Sequence, residues 1–164
     1  METLDIVNEK DEIIGTAPRE ECHQDPSIIH HTVHFTLVDP KKNKVLLSQR
    51  SFKKSHDAGK HCFFGEHVLS GESYADGIKR GVKEELGFIP KKFKELNHHI
   101  FRYQNQTELV RFFVIFWEGE KIKWDKTEME SIFWANLKEL KGEKYDLFEM
   151  TRFWFKNCDW DGMG

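Results

Sequence analysis

Apolar and polar residues alternate over His31–Val38, with Val33, Phe35 and Leu37 on one face, and a period of two predicts a strand. Leu4–Val7 and Ile13-Ile14 flank the turn-forming Asn8–Asp11, a pattern that reads as a small hairpin. Val45–Gln49, Phe93–Tyr103, Glu108–Trp117 and Ser131–Ala135 read as further strands, and Cys62–Leu69 as an extended segment. Between them, Asp39–Asn43 has turn chemistry and Ser51–His61 is a polar loop.

The period changes over Ser73–Leu86. Tyr74, Ile78, Val82 and Leu86 recur every fourth residue and form one apolar stripe of a helix. Ser73 can cap it with Asp76 three residues on, Gly87 stands at the expected stop, and Pro90 follows. Pro18–Cys22 reads as a helical turn, Leu137–Leu140 as a short helix and Phe148–Lys156 as the last helix. The run Phe153-Trp154-Phe155 is apolar enough to dock on the sheet or to meet a second copy in a homodimer. Mixed strands and helices imply an α/β or α+β class around a mixed sheet. With 164 residues and neither repeat nor linker, one domain is expected over 1–164, with an N-terminal hairpin at 1–17 and a C-terminal helix at about 146–157.

Composition narrows the function classes. The chain is 38% hydrophobic, enough for a core, and its net charge of −3 offers no field for a nucleic-acid polymer. Cys22, Cys62 and Cys158 are odd in number and form no CxxC pair, so reduced thiols in a cytoplasmic protein are expected. The acidic N-terminal stretch does not read as a signal peptide, and Phe112–Trp117 is too short to span a bilayer.

The predicted helix carries the candidate chemistry. Arg80 and Glu84 lie four apart on one face, with Glu85 beside them. Adjacent carboxylates repel, and a divalent cation with a taste for oxygen, Mg²⁺ or Mn²⁺, relieves that repulsion. An exposed, solvated helix face is the plainer explanation of the same charges. Gly77 and Gly81 each cost roughly 1 kcal/mol in a helix interior, so they imply close approach, either by a ligand or by the sheet.

Residues 65–87, GEHVLSGESYADGIKRGVKEELG, resemble the Nudix box, with Glu72, Arg80, Val82, Glu84, Glu85 and Gly87 at the family spacing. The resemblance implies an α/β/α sandwich and metal-dependent hydrolysis of a small-molecule diphosphate. It assigns Glu84 and Glu85 to the metal and gives Arg80 the orienting of Glu72 or of those carboxylates. Three positions depart from the pattern: Gly81 replaces a ligand glutamate, Glu66 the first glycine of the box, and Leu69 a loop glutamate.

A narrower likeness is to type 1 isopentenyl-diphosphate isomerases, which share the fold and lack the same helix glutamate. His23, His30 and His67 resemble their metal-binding histidines, and Glu108 a strand glutamate, while Gln106 stands near the second one. Their catalytic cysteine falls two residues before the loop histidine, where this chain has Gly65. The remaining upstream histidines, His31, His34, His56 and His61, read as ordinary strand or loop residues. Arg50, just after a strand, resembles a family arginine that contacts substrate phosphate or packs near the site. The reading is a Nudix-type diphosphate hydrolase using Mg²⁺ or Mn²⁺, with Glu108 as candidate base. The alternatives are an isomerase relative and a ligand-binding domain without catalysis.

Overall fold

The structure, a computed structural model, describes residues 2–141 and 144–161. In chain order the elements are β1 (Thr3–Val7), β2 (Ile13–Pro18), α1 (Arg19–Cys22), β3 (Ile29–Asp39), β4 (Lys44–Arg50), β5 (His61–Cys62), β6 (Phe64–His67), α2 (Tyr74–Leu86), β7 (Phe93–Arg102), β8 (Thr107–Phe116), β9 (Met129–Asn136), α3 (Leu137–Lys141) and α4 (Glu149–Asn157). The predicted elements all appear. The extended segment Cys62–Leu69 is broken at Phe63, whose N–H leaves the sheet and donates to Thr151 Oγ1 of α4 at 2.9 Å.

β3 is the axis of a mixed sheet. Along one edge it pairs in parallel with β8, from Ile29–Thr107 to Val38–Phe116. Its other edge is shared by three antiparallel strands in turn: β1 near Ile29, β6 over Thr32–Phe35, and β4 at Val38 and Asp39. β7 extends the sheet beyond β8, and β9 pairs with β4.

Strand alternation divides the core into two layers. Val33, Phe35 and Leu37 of β3 pack with Ile78, Val82 and Leu86 of α2. The three α2 residues are fully buried, each contributing on the order of 1.5–3 kcal/mol. The opposite layer joins Val110, Phe112 and Val114 of β8 to Leu137, Leu140 and Trp154. Trp154 is completely buried, so α4 docks on the sheet. Helices therefore cover both faces of a mixed sheet, an α+β sandwich.

The α2 helix starts and stops as its sequence requires. Ser73 Oγ accepts from Asp76 N and Asp76 Oδ2 accepts from Ser73 N, both at 3.1 Å, a reciprocal capping box. Gly87 ends the helix at φ +82°, a left-handed conformation that favours glycine. Gly77 and Gly81 face the sheet: a Cβ at Gly77 would meet Val68 at 3.3 Å, and one at Gly81 would meet Glu66 Cβ at 3.0 Å. The close approach is thus by β6 and the residue that follows it.

Candidate functional site

Arg80 organises the loop before α2. Its Nε donates to Glu72 Oε1 at 2.7 Å and its Nη2 to Glu72 Oε2 at 3.0 Å, a bidentate pair. Nη2 also donates to the His67 carbonyl at 2.6 Å, and Nη1 reaches Glu84 at 3.4 Å and Glu66 at 3.6 Å. Glu72 Oε2 additionally accepts from Leu69 N at 3.0 Å. Glu72 is thereby committed to holding the loop, and Arg80 ties β6 to the carboxylate end of α2.

β6 presents different chemistry on its two faces. Glu66 lies opposite Val33 on the α2 side, whereas Gly65 and His67 lie opposite His34 and Thr32 on the other. Glu66 lies against Glu84 and Arg80; burial, then the hydrogen bond with Glu84, pushes its carboxyl up to about 7. Glu85 is also raised, first by burial and then by Glu128 and Glu84. Glu66, Glu84, Glu85, His67 and Glu108 line one cavity of about 420 Å³, to which Arg19, Thr32 and His34 also contribute.

The three histidines meet. Candidate ligand atoms of His23, His30 and His67 all lie within 4.8 Å of one another, and His23 Nε2 is 2.9 Å from His67 Nε2. The position of His23 comes from α1, which buries Cys22 against Leu4 and Ala17 and leaves the next residue beside His67. His30 is fully buried, neither of its ring nitrogens has a hydrogen-bond partner among the described residues, and its Nε2 lies 3.5 Å from Glu108 Oε1. Burial, helped by Arg19, pushes His67 down to about 3, and burial lowers His23 too. Three converging imidazoles beside a buried carboxylate, with both ring nitrogens of His30 unpartnered among the described residues, are a donor set that fits a divalent cation. Glu84 and Glu85 do not belong to this tight group; they line the cavity that His67 and Glu108 also line.

A larger cavity of about 780 Å³ adjoins, lined by Arg50, His56, Tyr103, Gln106, Met150 and Thr151 among others. The two cavities share His34, Gly65 and Glu108. Arg50 lines the larger one while its Nε holds the His56 carbonyl at 2.8 Å. Tyr103 Oη and Gln106 Oε1 are buried there without partners among the described residues. Cys62 also lines this space, and burial raises its thiol. Sequence reasoning missed His34, Arg19, Thr32 and Tyr103. His34 read as an ordinary strand residue, and only the pairing of β3 with β6 reveals its place at the junction.

The family model of the NUDIX domain matches residues 29–153. An uncharacterized Nudix hydrolase from Clostridium acetobutylicum is 33% identical over 132 residues, 66% of this chain and 62% of that protein. An isopentenyl-diphosphate delta-isomerase from Serratia proteamaculans is 25% identical over 162 residues, covering 94% of this chain and 87% of that one. The chain spans between about half and two thirds of the length of several relatives it matches, 62% of that Clostridium acetobutylicum protein and 55% of a Nudix hydrolase from Yersinia pestis. A crystal structure of a Deinococcus radiodurans protein superposes with a TM-score of 0.76 at 19% identity, over 96% of this chain and 99% of that one.

Proposed function

Because the chain belongs to the Nudix family, we propose that it hydrolyses a small-molecule diphosphate with the help of a divalent cation, Mg²⁺ or Mn²⁺. The observation that carries this reading is the junction of the two cavities. The acidic cavity bears Glu84, Glu85 and Glu108, and the larger one bears Arg50 and unpartnered polar groups. A ligand with its diphosphate in the first would pass Gly65 and place its remaining portion in the second.

Nudix enzymes generally use divalent metal ions, and a bound cation would neutralise diphosphate charge and favour hydroxide formation from bound water. Glu84 and Glu85 would hold it on the α2 side, and His23, His30 and His67 offer a second, nitrogen-rich donor set. Arg80 and Glu72 act as positioning residues that fix the loop. Glu108, buried where the cavities meet, is placed to accept a proton from water or to serve the histidine set. Arg50, which lines the larger cavity, is suited to an anionic or polar group on the ligand where it extends past the junction.

The histidine trio favours a second reading, an isomerase relative. Position 65 argues against it. A Cβ there would lie 3.0 Å from His34 Cδ2, so a cysteine at 65 would crowd that imidazole. Purified protein with Mg²⁺ or Mn²⁺ should release monophosphate or phosphate from some member of a nucleotide and isoprenyl-diphosphate panel. No release from any member would sink the hydrolase reading. Deuterium uptake into isopentenyl diphosphate in D₂O would establish the isomerase instead.

A further inference from the structure

Two departures from the Nudix box, Glu66 and Gly81, are a single structural event. The two residues face each other between β6 and α2. A Cβ built on Gly81 lies 3.0 Å from Glu66 Cβ, 3.4 Å from Glu66 Cγ and 3.3 Å from Phe35 Cε1. The space that a longer residue 81 would enter is thus already filled by the stem of Glu66. A glycine at 66 would open that space to a side chain from the helix; a glycine at 81 opens it to a side chain from the strand.

The carboxylate of Glu66 reaches the groups that a glutamate at 81 would adjoin. It lies 3.6 Å from Arg80 Nη1, which also contacts Glu84 at 3.4 Å. It accepts from its neighbour's backbone, His67 N to Glu66 Oε1 at 2.9 Å, which fixes its direction. It lines the same cavity as Glu84, Glu85 and Glu108. Beside Glu108, which lines that cavity, stands His30. That side chain is fully buried, without a partner for either nitrogen among the described residues, and is directed at Glu108 on the cavity wall.

We propose that Glu66 supplies from the strand the carboxylate that α2 lacks at position 81, so that Glu66, Glu84 and Glu85 together bind the divalent cation. The inference rests on the reading that Glu84 and Glu85 bind a cation, and it changes what the loss of the helix glutamate means. The site is rearranged rather than depleted. Retaining three carboxylates also preserves the negative charge that a hard, oxygen-seeking cation prefers.

Titration of free Mn²⁺ by electron paramagnetic resonance tests this on the whole chain, with thermal unfolding as the folding control. Glu85→Gln identifies the binding event that belongs to α2. Glu66→Gln should weaken that same event by at least about tenfold, the range seen when groups around a metal are removed. The double substitution Glu66→Gly with Gly81→Glu, which returns the carboxylate to the helix, should bind within about threefold of the natural chain. Unchanged binding in Glu66→Gln, with loss in Glu85→Gln, overturns the proposal and leaves the helix site standing. No event sensitive to Glu85→Gln would overturn both. If Glu66→Gln does not fold, the double substitution decides: retained binding supports the exchange, and lost binding refutes it.

Discussion

Trp154 Nε1 lies 3.0 Å from His34 Nδ1, so the last helix sets the hydrogen-bonding state of a side chain in the central strand. An indole N–H can only donate. His34 Nδ1 must therefore accept, and the ring proton sits on Nε2, the nitrogen nearest Gly65 at the junction of the cavities. Burial pushes His34 down to about 4, so the ring is neutral near pH 7. Nitrogen-15 NMR should find His34 protonated at Nε2 with no titration between pH 5.5 and 8. Trp154→Phe should mix the tautomers; a protonated Nδ1 in the natural chain would contradict the assignment.

Arg80 is a keystone of the loop because its fork meets Glu72 twice and also caps the His67 carbonyl. Arg80→Lys keeps the charge and loses the bidentate geometry. It should lower stability by about 1–2 kcal/mol, and Arg80→Ala by about 2–4 kcal/mol, through groups left unpaired. Denaturant unfolding measures both. Equal stability of Arg80→Lys and the natural chain would show that the fork is dispensable.

The buried imidazoles make the metal-free protein acid-sensitive. His34 and His67 stand at about 4 and about 3, below the ordinary histidine value. The unfolded chain binds protons first as pH falls through about 6.5, so the unfolded state gains. Their contribution to stability is therefore fully present above that pH and declines toward pH 4, opposed in part by Glu66 and Glu85, whose raised carboxyls favour the folded chain on acidification. Thermal midpoints recorded from pH 6.5 to 4.5 should fall, more steeply in Glu66→Gln, which removes the opposing carboxyl. A midpoint that rises on acidification would contradict the sign.

Gly65→Cys restores the residue type of the isomerases but sets it against His34, 3.0 Å from the new Cβ. The variant should be less stable, by about 1–3 kcal/mol as for other overpacked positions. It should also remain without deuterium exchange into isopentenyl diphosphate. Exchange by this variant would show that only the thiol separates the chain from an isomerase.

The α2 helix was legible residue by residue, since its stripe, cap and stop are local patterns in Tyr74–Gly87. The strands were legible from alternation, and their ends shifted by one or two residues where pairing with β8 and β1 extends β3 to Ile29. The meeting of His23, His30 and His67 was anticipated only through family resemblance, because it depends on α1 returning beside β6. The relations of Glu66 to Gly81 and of His34 to Trp154 were not legible. Each joins residues far apart in sequence, through strand register and helix docking, and no local period records such a meeting. Gly77 and Gly81 left two explanations open in sequence, and the packing of β6 against α2 chooses between them.

If the α2 carboxylates serve metal-dependent diphosphate hydrolysis, turnover depends on both the cation and Glu85. Initial rates of phosphate release should be measured across a Mg²⁺ and Mn²⁺ titration for the natural chain and for folded Glu85→Gln, using the best substrate from the panel. Release should require the cation and fall by about 100-fold or more in Glu85→Gln, on the order of 3 kcal/mol in the barrier; either of two results stands against this role. Release that persists without a divalent cation, or an undiminished rate in Glu85→Gln, would contradict it.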